Sequence, residues 1–362
     1  MIETLGLDSR ERWNEVAKSF KDYDIYYSPE YLISFQMIGD GDPILIYYKE
    51  NGLKAMCALM KRSLKTYGVD DWFDLITPYG YGGFVFEGDM SENNKKVFSK
   101  AFKQWVVEHN VVSIFYRFHP QLRTAENAYW YCDPIMLGHT IEMDLTDEDT
   151  IWKNMTSKNR NMIRKAEKNG ITIEHGLTWE LFLEFKVVYD ATMVKDNAEE
   201  YYFFKEDFYR SIFDNMKDTC EIFYAVYEGK KIAMSMMLHE NDRMHYHLSG
   251  SVWEYRNLAP SNLLLYEAAK WGSSIGCKIF HLGGGVGSGK DNLFKFKREF
   301  NRNSDITFGI GKQICNQEMY DKLVQFCIDG KTDFDKDNKF FPLYRTISVS
   351  YTHLRAHETS AH

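Results

Sequence analysis

The feature that most constrains this chain is that it repeats itself over a long period. AFKQWVVEHNVVSIFYRF, from Ala101, and YEAAKWGSSIGCKIFHLG, from Tyr266, align as a helix running into an apolar strand. Trp105 and Trp271 hold matching places ahead of the two strands. Each fragment sits behind a hairpin signal. PILIYYKENGLKAMCALMKR turns at Asn51-Gly52, and EIFYAVYEGKKIAMSMML turns at Glu228-Gly229. Such dipeptides between strand-like runs supply the positive φ of a two-residue turn. The period far exceeds the ~20–50 residues of a solenoid unit, so the pattern predicts two copies of one α/β domain. The first copy is expected over 1–140, completed by about 317–345, and the second over 141–316, with a junction near His139 to Leu145.

Further elements follow from spacing. Val97, Phe98, Ala101, Phe102 and Trp105 fall on one helical face. VVSIFYRFHP and MHYHLSGSVW read as strands. SNLLLYEAAKWGSSIG reads as a helix, with Ser261 or Asn262 as its N-cap and Gly276 as its stop. Helices are expected in EDTIWKNMTSKNRNMIRKAEKNG, WELFLEFKVVYDATMVKD and FKEDFYRSIFDNMK between the copies, and in QEMYDKLVQFCIDG, packing back on the first domain. The tail from Thr346, TISVSYTHLRAHETSAH, has no core periodicity. It reads as non-native, and its His353, His357 and His362 carry no meaning.

Composition narrows the function. The 362 residues are 44% hydrophobic and 27% charged, ordinary for a globular protein of two domains. The net charge of −8 argues against a surface that holds nucleic acid by bulk attraction, and no DNA partner is expected. The six cysteines form no CxxC pair, which points to buried thiols in a reducing cytosol rather than a metal or redox site. No run approaches the ~20 apolar residues of a membrane span, and MIETLGLDSRERWNE is not a signal peptide, so a cytoplasmic location is expected. A membrane-linked substrate would be met by peripheral contact with the inner membrane face.

Hairpin, strand, helix, strand is the order of a GNAT domain, whose helix start faces the cofactor's phosphates. The equivalent stretch here, Arg256 to Asn262, has the arginine but no glycine, and Pro260 removes an amide donor. That makes it a poor pyrophosphate cradle.

Four stretches carry a family resemblance: TPYGYGG from Thr77, SKNRNMIRKAEKNGI from Ser157, RNLAPSNLLLYEAAKWG from Arg256 and LFKFKREF from Leu293. On these the chain resembles the Fem peptidyltransferases, which build peptidoglycan cross-bridges from aminoacyl-tRNA with two GNAT-like domains. It also resembles their GNAT acyltransferase relatives. No sustained heptad run appears, so it is similar to members lacking the coiled-coil arm. The resemblance implies that Lys297, following Phe296, lies in the active site. A cation there stabilises the oxyanion of aminolysis, or else it is one surface lysine in a basic run. Lys295 would face elsewhere if the segment is extended.

Arg160, Arg164 and Lys168 form one helical stripe, an anion site for phosphates or RNA, or else a solvated face. Tyr79 and Tyr81 lie in a glycine loop that lines an acceptor cleft or merely turns. His245 and His247, two apart in a strand, share a face as polar groove residues, and no metal site is expected. Arg256 is a substrate-binding candidate. HLGGGVGSGKDN is not a P-loop, because Asp291 follows Lys290; it reads as a flexible loop after a strand.

Together these lead to an aminoacyltransferase acting on a nucleotide- or lipid-linked peptidoglycan precursor in cell-wall biogenesis. No bound cofactor is expected, and the donor is aminoacyl-tRNA. Alternatives are a CoA-dependent N-acyltransferase for a surface sugar, or a non-catalytic binding protein with a degenerate GNAT pair.

Overall fold

The computed structural model describes residues 1–330 and 334–346; the expected tail, apart from Thr346, lies outside the described residues. The chain forms two compact units. One comprises Met1–Gly138 together with the described residues from Thr307 onward, and the other His139–Ile306.

The first unit begins with β1 (Ile2–Leu5), α1 (Arg10–Lys18), α2 (Pro29–Gln36), β2 (Asp42–Glu50), β3 (Leu53–Ser63), β4 (Phe73–Ile76), β5 (Val85–Gly88), α3 (Glu92–Glu108) and β6 (Val111–Arg117). The second contains β7 (Pro134–Asp144), α4 (Glu148–Asn154), α5 (Ser157–Lys168), β8 (Thr172–Gly176), α6 (Trp179–Lys195), α7 (Glu206–Asn215), β9 (Cys220–Tyr227), β10 (Lys230–Glu240), β11 (Arg243–Ser251), α8 (Pro260–Ser274), β12 (Ile279–Gly283) and α9 (Asn292–Arg298). The chain then supplies β13 (Ile306–Ile314) and α10 (Gln317–Gly330) to the first.

The repeat is visible in the strand order. The first unit reads β1-β2-β3-β4-β6-β13, with β5 beside β3; the second reads β8-β9-β10-β11-β12-β7. In each, an antiparallel hairpin leads to a third antiparallel strand, which pairs in parallel with the strand after a long helix. Both hairpins turn as their dipeptides require, at Asn51 (φ 49°) and Gly52 (φ 78°), and at Glu228 (φ 48°) and Gly229 (φ 74°). Trp105 and Trp271 sit near the ends of the matching helices α3 and α8. The fold is thus a tandem pair of GNAT-like α/β domains.

Periodicity located the cores. Phe98, Phe102, Trp105 and Val106 of α3 pack against Ile46, Tyr48, Leu75 and Ile114. In the second unit Leu263, Leu264, Ala268 and Ala269 of α8 join Ile163 and Ala166 of α5 over Met143, Met244 and Phe280. Helix α10 buries Tyr320, Leu323 and Cys327 against Leu64 and Val112 of the first unit. All six cysteines are free, and all but the half-buried Cys315 are buried.

Two local readings are corrected. Helix α8 starts one residue before Ser261: Ala259 is its N-cap in the left-handed region (φ 59°) and Pro260 occupies N1. Proline suits N1 because that amide has no intrahelical acceptor. LFKFKREF is not extended but helical over Asn292–Arg298, capped by the Asp291 carboxylate, which accepts from the Phe294 amide at 2.9 Å. Among the described residues no helix is long and apolar enough to cross a membrane.

Candidate active site

Helix α9 places its two lysines differently. Lys297 has no exposed surface, and its Nζ donates to the Gly284 carbonyl at 2.8 Å. Burial pushes its pKa down to about 7, opposed only by the charge of Asp291. The alternative of a surface lysine in a basic run therefore fails for Lys297. Lys295, roughly 200° around a helix of 3.6 residues per turn, is exposed. The glycine-rich stretch before α9 is folded around Asp291. The Asp291 carboxylate also accepts from the Val286 amide at 3.3 Å, and a Cβ on Gly285 would lie 2.2 Å from its Oδ1.

Phe296 and Lys295 face a cavity of about 320 Å³, walled by α5, α8 and α9. Its other walls are Lys158, Asn159, Met162, Asn262, Asn292 and Glu299. Asn159 is 1% exposed. Its Oδ1 accepts from Asn262 Nδ2 at 2.7 Å, while its own Nδ2 is buried without a partner. Glu299 ties α9 to the start of α5: it accepts from Thr156 Oγ1 and pairs with Lys158 at 3.2 Å. No side chain caps the start of α8. This is therefore a pocket of amide groups, two exposed lysines and the Glu299 carboxylate around an aromatic ring.

Most of the cavity's polar groups were not singled out from the sequence. Asn159 and Asn262 lie 103 positions apart, and single asparagines carry no spacing signal. The residues that were singled out are largely elsewhere. Arg160 donates to the carbonyls of Met155 (2.6 Å) and Trp152 (3.3 Å), satisfying the end of α4. The Arg164 guanidinium lies over the Trp152 ring at 5.1 Å, and Lys168 is exposed. None of the three lines the cavity. Arg256 stacks on Trp253 at 3.9 Å and donates to its carbonyl.

His245 and His247 are both buried, but a bulge separates them. Met236 pairs with Leu248 and Met237 with Tyr246, so His247 has no counterpart on β10. The strict alternation that would place both on one face is broken there. His245 lies beside His281 of the parallel neighbour β12, with ring centroids 5.8 Å apart.

In the first unit, the TPYGYGG glycines admit neighbouring side chains. A Cβ on Gly80 would lie 2.3 Å from the Tyr26 ring, and one on Gly83 would lie 2.9 Å from Phe118 and Thr124. The Tyr79 carbonyl accepts from Tyr31 Oη at 2.5 Å, and its ring stacks on Phe35; Tyr81 packs edge-on against Tyr26 and Phe308. Sequence reading missed the neighbouring fully buried pair Asp24 and His119, 3.1 Å apart. His119 Nδ1 accepts from the Leu122 amide, which leaves the proton on Nε2 facing Asp24.

Residues 153–298, which include α5, α8 and α9, match the acetyltransferase (GNAT) domain family. Among solved structures, FemX is similar with a TM-score of 0.64 at 14% identity, covering 88% of this chain and 99% of that one. A conserved protein of unknown function from Bacteroides thetaiotaomicron is similar with a TM-score of 0.58 at 12% identity, covering 86% of this chain and 100% of that one. At these identities the likeness is one of fold. No curated protein matches the sequence.

Proposed function

We propose that the protein transfers an aminoacyl group from aminoacyl-tRNA to an amine of a peptidoglycan precursor, nucleotide- or lipid-linked, at the cytoplasmic side of the membrane. The observation that carries this reading is the start of α8. It opens on a cavity lined by Lys158 and Lys295, yet its approach has no glycine to fold tightly round a pyrophosphate. Two exposed lysines, one of them paired with Glu299, beside an uncapped helix start suit phosphates of an RNA end.

The chemistry asks little covalent work of the protein. The donor ester is already activated, so the site must orient it, accept the amine's proton and stabilise the oxyanion. Lys297 is a positioning residue in this reading. Its ammonium holds the Gly284 carbonyl and so fixes the turn between β12 and α9.

The second reading is CoA-dependent acyl transfer, favoured by the acetyltransferase family that residues 153–298 match. Mass spectrometry of a peptidoglycan nucleotide precursor, incubated with the protein and either charged tRNA or acetyl-CoA, decides between them. The proposal expects an aminoacyl mass increment with charged tRNA only. An acetyl increment with acetyl-CoA alone would replace it with the second reading.

A further inference from the structure

Helix α6 is apolar on two sides. Phe182, Phe185, Tyr189 and Met193 are buried in the unit. On the other side Leu183, Val187, Ala191 and Val194 are exposed, and they recur at the spacing of one helical face, about 16 Å long. Val187 is 70% exposed and Val194 66%. A helix that is apolar all round is normally buried all round, so the outer stripe is built to be covered. The patch continues past the helix end. Thr192 Oγ1 accepts from the Ser251 amide at 2.9 Å, which ties α6 to the end of β11. Two residues on, Trp253 is 51% exposed, and its ring is met by the Arg256 guanidinium at 3.9 Å and by Lys195 Nζ at 4.7 Å. Carboxylates stand close by: Asp190 pairs with Lys186, Glu184 with Lys231 and Asp196 with Lys195, while Glu180 and Glu254 are exposed at the two ends of the patch. Charge alone therefore does not draw this patch to an anionic surface; its apolar side chains must carry the contact.

The size of the patch selects the partner. A few hundred Å² is about half of the ~800 Å² that each partner gives to a stable protein interface, too little for a second copy of the chain. A bilayer sets no such minimum, because its affinity scales with whatever apolar surface enters it. Tryptophan beside long cations is also the set that settles at headgroup level, the ring at the acyl boundary and the charges reaching outward. We infer that the outer face of α6, with Trp253, docks on a phospholipid bilayer. Val187, Val194 and the Trp253 ring enter the acyl boundary, and Arg256 and Lys195 reach headgroup phosphates. This deepens the function proposed above by choosing the lipid-linked form of the acceptor, and it rests on that function for this choice alone.

Flotation of the full chain with vesicles of phosphatidylethanolamine and phosphatidylglycerol tests this on the wild type, V187E/V194E and W253A. The control is V107E, which charges an equally exposed valine on α3. Circular dichroism confirms the fold of each. The wild type and V107E should float with the vesicles. V187E/V194E should weaken binding by at least about 10-fold, and W253A by about 3- to 10-fold. Binding should persist at about 0.5 M salt, since buried apolar surface is not screened. No binding by the wild type, equal binding by V187E/V194E, or binding abolished by salt overturns the inference. Sedimentation without vesicles reads the rival occupant: a dimer that V187E/V194E turns into a monomer would assign the face to a second copy instead. In a transfer assay, V187E/V194E should lose activity on a vesicle-held lipid-linked precursor and keep it on the nucleotide-linked one. Docking without transfer to either precursor would sink the proposed function alone. Undiminished transfer by V187E/V194E to the vesicle-held precursor would sink the docking face alone.

Discussion

At the scale of single residues, Lys297 is the clearest case of a side chain whose environment contradicts its type. A lysine with no exposed surface is charged in the unfolded chain up to about pH 10.5, but in the native state only up to about pH 7. Below pH 7 both states carry the proton, and the full cost of burying the charge weighs on the native state. Between 7 and 10.5 the unfolded state binds more protons, so that deficit shrinks as pH rises. Denaturant unfolding of wild type and Lys297→Met across this range should show the variant's relative advantage greatest below pH 7 and shrinking above it. A difference independent of pH would mean that Lys297 is not titrating in the fold. In a transfer assay, Lys297→Met should lower turnover about 10- to 100-fold, as loss of a supporting contact does. Lys297→Arg should restore part of it, because the guanidinium differs in shape. Wild-type activity should fall as pH rises through about 7, and the Arg variant should lose that limb. Full turnover in both variants would remove Lys297 from the mechanism.

At the scale of elements, the TPYGYGG turn shows glycines giving room to neighbouring side chains. Gly80 has φ +96°, and the space its side chain would fill is taken by the Tyr26 ring. Gly80→Ala should therefore destabilise the first unit by more than about 1 kcal/mol, since backbone strain and ring displacement act together. Urea unfolding monitored by tyrosine fluorescence would measure it; a change within error would show that the turn relaxes freely. The same element illustrates a limit of sequence reading. Tyr/Gly composition marks a tight turn reliably, but whether the space beside it is taken by a ligand or by Tyr26 depends on α2 and the residues before it, far back in the chain. Helix α9 is the converse. LFKFKREF reads as a strand by alternation, yet the Asp291 cap and its packing on α5 through Glu299 make it a helix, and this is what separates Lys295 from Lys297.

At the scale of the whole molecule, the first unit is assembled from both ends of the chain. Asp74 on β4 has no exposed side chain and accepts from Arg62 Nε at 2.6 Å, Arg345 Nε at 2.5 Å and Tyr344 Oη at 3.0 Å. Tyr344 in turn bonds Ser113 on β6 at 2.8 Å. This carboxylate fastens the segment after α10 to the sheet. Asp74→Ala leaves two guanidiniums without their counter-ion. It should cost about 3 kcal/mol, the low end for a broken buried pair because both arginines keep some solvent. A chain ending before Tyr344 should lose stability in the same unit. Thermal unfolding of both variants checks this, and unchanged melting would show the latch to be dispensable.

What the sequence by itself determined is the tandem α/β plan. Turn dipeptides, helical spacing and a repeated Trp-helix-strand phrase are local signals, and local signals survive without knowledge of distant partners. It also drew attention to Lys297, though only by resemblance; its burial was decided by the turn at Gly284 folding over it. The Asn159–Asn262 pair was decided by tertiary structure alone. An asparagine is ordinary until a second one, on another helix, takes one of its hydrogen bonds and packing closes water away from the other. That pairing depends on how α5 and α8 cross over the shared core, and nothing in either helix's own sequence encodes it.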